Sequence, residues 1–92
     1  MVNKMVTIRS YYGTSPSAEN NAKVVTVKGT RFFFSYETLV GVESAQGPVI
    51  VHENIWGTTT GKHLNSIDGG TKDAKAKRLN HDDFMIAIKD FL

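Results

Sequence analysis

Residues 23–36 read KVVTVKGTRFFFSY. Two β-branched or aromatic runs flank Gly29, and glycine takes the positive φ that a tight hairpin turn requires at no steric cost. The stretch therefore predicts two antiparallel strands, with Gly29-Thr30 at the turn. In the second strand Phe32, Phe34 and Tyr36 share one face while Phe33 and Ser35 share the other. Aromatic residues on both faces predict an interior strand covered on each side.

The pattern continues outward. Residues 38–43, TLVGVE, read as a further strand, with Gly41 as a bulge or a close backbone approach. The turn SAQGP leads to VIVHE at 49–53, another strand. Upstream, Val6 and Ile8 alternate with Met5, Thr7 and Arg9, as a half-buried strand does. Residues 11–22 are rich in Gly, Pro, Ser and Asn and predict a mobile loop. Brief connections between short strands predict an antiparallel meander of four to five strands.

The character changes at residues 53–70, ENIWGTTTGKHLNSIDGG. Any of Thr58, Thr59 or Thr60 suits the N-cap of a short helix over 60–67, with Leu64 and Ile67 on its apolar edge. Gly69 suits its left-handed end. Residues 71–78, TKDAKAKR, carry no large apolar side chain and read as a solvated connector. Asn80 then caps a helix over 81–91, with Asp82 and Asp83 placed to favour the positive end of its dipole. Phe84, Ile88, Phe91 and Leu92 form its apolar stripe. The fold class is α+β: a meander, a short helix after Trp56, and a C-terminal helix packed on one face.

Length and composition bound the rest. Ninety-two residues make a single α+β domain spanning 1–92. A chain of this size buries roughly 60–65% of its unfolded surface, enough for a small core. The absence of cysteine excludes disulfides, thiolate metal sites and cysteine nucleophiles. The opening MVNKMVTIRS lacks the apolar core of a signal peptide, and no run is long enough for a membrane helix, so a cytoplasmic protein without membrane attachment is expected. A net charge of +2 permits nucleic-acid binding without arguing for it. Oligomeric state is not legible.

Complete chemical motifs are missing. Gly57 and Gly61 enclose three residues, and His63 follows Lys62; a phosphate-binding loop needs four residues and then Ser or Thr. His52, His63 and His81 lack the i, i+4 pairing of a helical zinc motif, so neither metal nor cofactor is expected. Glu53, His63 and Asp68 are the nominal acid–base cluster. Ser35, Ser44 and Ser66 lack the context of an elbow nucleophile. A non-enzymatic protein is the expectation. Trp56, Lys62, His63, Asn65 and Asp68 are its expected binding patch, an exposed polar surface beside the type of aromatic residue most enriched at interaction hot spots. Lys72, Lys75, Lys77 and Arg78 are the alternative, a basic run able to contact nucleic-acid phosphates.

Several of these residues resemble a known group. Phe33-Phe34-Ser35-Tyr36 with Thr38, then Glu53-Asn54-x-Trp56-x-Thr58-Thr59-Thr60-Gly61-Lys62-His63-Leu64-Asn65-x-Ile67-Asp68, the basic connector, and Asn80-His81-Asp82-Asp83 are similar to a family of small proteins of tailed bacteriophages and related mobile elements. The resemblance covers about the last two-thirds of the chain and leaves out the N-terminal strand and loop. It brings no activity with it. It implies a phage accessory protein that binds a host or viral macromolecule, a protein first, as an inhibitor of a bacterial anti-phage defence complex (anti-CRISPR-like). The alternatives are a small nucleic-acid-binding module and a small hydrolase or nucleotide-binding protein centred on His63.

Overall fold

The computed structural model describes residues 6–12 and 21–92. Five antiparallel strands form one sheet in sequence order: β1 (Val6–Ser10), β2 (Ala22–Val27), β3 (Thr30–Ser35), β4 (Thr38–Glu43) and β5 (Ile50–Val51). Three helices follow: α1 (Thr58–Asp68), α2 (Lys72–Ala76) and α3 (His81–Ile88), the last continued by a 3-10 turn over Lys89–Phe91. The α+β meander is as expected. Among the described residues no helix is long and apolar enough to cross a membrane.

The β2–β3 hairpin pairs Val27 with Thr30, so its turn is Lys28-Gly29, one residue earlier than the sequence predicts. Both turn residues have positive φ, 51° and 86°. That pair of signs matches the twist of the flanking strands. Between β3 and β4 the register shifts at Phe33/Phe34, because Phe33 faces Gly41 while Phe34 faces Leu39. The extra residue is Val40, so the expected irregularity lies beside Gly41.

Adjacent strand residues point to opposite faces, and each face has its own helix. Phe33, Val40 and Val51 pack with Leu64 of α1. Val42 packs with Phe84 and Ile88 of α3, with Phe32, Leu39 and Ile50 around them. The central strands are therefore covered on both sides, as the consecutive phenylalanines require. Leu79 closes the far edge: its N–H donates to the Val51 carbonyl at 2.9 Å, and the Glu53 N–H donates to the Leu79 carbonyl at 2.7 Å.

Four local expectations are corrected. The cap of α1 is Gly57, with no side-chain cap bond, and not one of the threonines. The supposed connector contains α2, because the Thr71 side chain accepts from the Ala74 N–H and starts a turn that needs no apolar stripe. Leu92 is 73% exposed and leaves the stripe, since the chain tightens into the 3-10 turn before reaching it. The expected loop over 11–22 gives way to β2 at its last residue. Ala22 is fully buried in β2, and the Tyr11 N–H donates to its carbonyl at 3.0 Å. Residues 13–20 of that loop lie outside the described residues.

Candidate binding cleft

Asn54 shapes the entry to α1. Its side-chain oxygen accepts from the N–H groups of Trp56 and Gly57 at 3.0 and 3.2 Å. Its amide donates to the Gly57 carbonyl at 2.8 Å. This closed loop of bonds fixes the backbone that presents Trp56, as Asx turns do. Gly61 leaves room beneath it: a Cβ there would come 2.9 Å from the Asn54 amide nitrogen and displace that side chain. Trp56 itself is 41% exposed, with one side of its ring against His52 at a centroid separation of 4.6 Å.

Across from Trp56 stands Tyr36, 50% exposed, at the β3–β4 turn. Its φ is 56°, a left-handed conformation that is uncommon for an aromatic residue. Its N–H donates to the Asn21 carbonyl at 2.7 Å, which holds the turn in place. Between the two rings lies a cleft of about 330 Å³, walled by Thr38, Val40 and Thr58 and floored by Ser35 and Thr60.

The floor is a buried polar network. Ser35 Oγ lies 2.7 Å from His63 Nδ1 and 2.9 Å from Thr60 Oγ1. All three residues are at most 6% exposed. Three tyrosine rings surround the imidazole: Tyr11, Tyr12 and Tyr36, with centroids 6.1, 5.1 and 5.9 Å away. The Tyr11 hydroxyl donates to the Phe34 carbonyl at 3.0 Å, and burial raises its pKa. Burial also holds the His63 imidazole below its ordinary pKa, so the neutral ring is the native form.

That shift has a sign. Below about pH 6.5 the unfolded chain binds a proton at this histidine that the folded protein refuses. Stability therefore rises with pH up to about 6.5, and is lost on acidification until the depressed folded pKa is passed. The expected slope from this group reaches about 1.4 kcal/mol per pH unit. Urea unfolding of the wild type and His63→Gln between about pH 7.5 and 5.5 measures it. The difference between the two should shrink as the pH falls; a constant difference contradicts a neutral buried His63.

The expected binding patch divides in three dimensions: Lys62 and Asn65 line one groove, and the other three lie elsewhere. Trp56 is at the cleft and Lys62 is exposed. His63, expected on the exposed patch, is 1% exposed and belongs to the interior, because the helical turn after Gly61 points it at Ser35. Asn65 and Asp68 belong to a clamp on Arg78. Arg78 donates from Nε and Nη2 to the two Asp68 oxygens at 2.7 and 2.8 Å, and from Nη2 to Asn65 Oδ1 at 3.0 Å. The ion-paired side chains are each only 6% exposed. Burial alone would raise the Asp68 pKa, but the Arg78 hydrogen bonds and charge, with the Gly70 N–H, outweigh it and hold the carboxyl below the usual range.

Arg78 is accordingly not part of a free basic run; Lys72, Lys75 and Lys77 remain exposed. Glu53 is exposed and neither it nor Asp68 hydrogen-bonds His63, so the nominal acid–base cluster is not assembled. Ser35, Tyr36 and Thr38 are the cleft residues that sequence reasoning missed. The alternation that set Ser35 beside Phe33 on one face was the available signal.

A family model for a family of unknown function, DUF8033, matches residues 6–84, from the first strand to the buried Phe84. The chain belongs to DUF8033. The DUF8033 match takes in β1, which the resemblance noted above leaves out. Neither the curated proteins nor the solved structures provide a match. Membership in DUF8033 therefore brings no ligand or activity to the cleft.

Proposed function

We propose that this DUF8033 protein is a non-enzymatic binding module of phage or mobile-element origin. It acts in the host cytoplasm and takes a protein partner at the Trp56–Tyr36 cleft. The phage setting and the role as inhibitor of a bacterial defence complex rest on the family resemblance alone. The binding reading rests on one observation: two half-exposed aromatic rings line one cleft. Tyr36 occupies a backbone conformation that glycine would adopt without strain, of the kind that costs about 1–3 kcal/mol and collects at functional sites. Exposed aromatic residues in prepared positions are the usual anchors of protein interfaces.

Ser35 and His63 serve here as the floor and not as a nucleophile and base. The serine oxygen is engaged on both sides and the residue is 2% exposed. A second reading has its own observation. Lys62 and Lys75 line one shallow groove with Asn54 and Thr58, next to the cleft. Two lysines in one groove, with the exposed Lys72 on the same helix as Lys75, suit nucleic-acid phosphates.

The test is affinity capture from infected host lysate with wild type, Trp56→Ala, Tyr36→Gly and a triple Lys72→Ser, Lys75→Ser, Lys77→Ser variant. Trp56→Ala should fold yet lose about 2 kcal/mol or more of partner affinity. Tyr36→Gly should melt close to wild type, its backbone relaxed, and also lose the partner. Retention of the partner by both aromatic variants overturns the cleft. Loss in the lysine variant alone, with steep salt dependence, favours the nucleic-acid reading.

A further inference from the structure

The fold joins two histidines that are distant in sequence. His52 follows β5 and is 1% exposed; His81 opens α3. His52 Nε2 and His81 Nδ1 face each other at 3.2 Å. On the other side of its ring, His52 Nδ1 lies 2.6 Å from the Glu53 carbonyl oxygen. A carbonyl only accepts, so Nδ1 carries a proton; the contact between His52 Nε2 and His81 Nδ1 is a hydrogen bond between the two rings, which a bound ion would replace by taking a lone pair from each. A backbone carbonyl commonly fixes the outer N–H of a metal-binding imidazole in the same way as the Glu53 carbonyl fixes that of His52.

The spacing also fits. Two imidazole nitrogens 3.2 Å apart, each about 2.0–2.1 Å from a common ion, subtend roughly 100–105° at it, close to tetrahedral. The pair lines a cleft of about 230 Å³ on the α3 side of Trp56, walled by Phe84 and Ile88. Met85, one turn along α3 from His81, lines the same cleft and brings a soft thioether. No third His, Asp or Glu joins the pair among the described residues.

We propose that His52 and His81 form a bis-imidazole site for a late first-row transition-metal cation, with its remaining positions open to solvent or to Met85. Two fixed nitrogens and open positions make the ion exchangeable, unlike a closed four-ligand structural site. Imidazole donors and the order of affinities along the row favour copper(II) as the tightest probe and zinc as its competitor. The ion would sit behind Trp56, whose ring already touches His52. The site is separate from the Ser35–His63 floor and does not depend on the binding reading of the cleft.

Trp56 is the only tryptophan and its ring centroid lies 4.6 Å from that of His52, so its fluorescence responds to an ion held by this pair. Copper(II) added to tag-free protein at neutral pH should quench it saturably, with an end-point at one equivalent. Electron paramagnetic resonance of that complex should show two coordinating nitrogens. Excess zinc should restore the fluorescence. His81→Gln, an exposed substitution that leaves the buried His52 in place, should keep the native circular dichroism and weaken copper binding by about ten-fold or more. Absence of saturable quenching, or an unchanged midpoint in His81→Gln, overturns the proposal.

Discussion

Phe84→Ala is expected to destabilise the domain by about 3–5 kcal/mol, the usual cost of deleting a buried ring and leaving its cavity. Phe84 is 1% exposed and packs with Ile88 and Val42 between α3 and the sheet. Its ring also meets His52 at a centroid separation of 5.0 Å, so the cavity would open beside a second buried side chain. A domain of this size has a total stability of about 5–14 kcal/mol, so the loss is a large share of the whole. Leu92→Ala is the contrast. It belongs to the same stripe by sequence but is 73% exposed, and its effect should stay within about 0.5 kcal/mol. Chemical denaturation of both variants decides the matter. Equal effects would contradict the position of α3.

The second large effect concerns Asp68. Asp68→Ala leaves the Arg78 guanidinium charged, enclosed and without its carboxylate, at an expected cost of about 3–5 kcal/mol. Asp68→Ala with Arg78→Ala should cost less than the sum of the single changes, because the stranded charge is gone. The surface lysines behave differently. Lys72→Ser, Lys75→Ser and Lys77→Ser together should change stability little, and adding Arg78→Ser should then lower it sharply. Equal stability with and without Arg78 would show that the clamp on Asp68 and Asn65 contributes nothing.

These two cases show where the sequence was informative. The β2–β3 hairpin and α3 were legible because β-branched runs about Gly29 and an Asn80 cap before an apolar stripe are local signals with local causes. Arg78 was misplaced because a basic run looks the same whether its last cation is solvated or folded back onto a carboxylate ten residues earlier. His63 was placed outside for a related reason. Histidine, part apolar ring and part hydrogen-bonding group, suits either side of a helix, and the Ser35 that holds His63 inside lies 28 residues away. The His52–His81 pair is separated by 29 residues and follows no spacing rule. Helix α2 rests on one threonine cap, too slight a signal against four surface charges. Of the expected patch, Trp56 edges the cleft and His63 lies in the network of its floor, while Tyr36, the other aromatic residue of the cleft, sits in a turn conformation that favours glycine.

The central claim is that the Trp56–Tyr36 cleft receives the partner. Because Trp56 is the sole tryptophan, 5-fluorotryptophan labelling gives one fluorine resonance for the whole protein. Titration with the captured partner should shift or broaden that resonance in step with complex formation, and Tyr36→Gly should abolish the change. A complex that forms while the Trp56 resonance stays where it was would contradict the account.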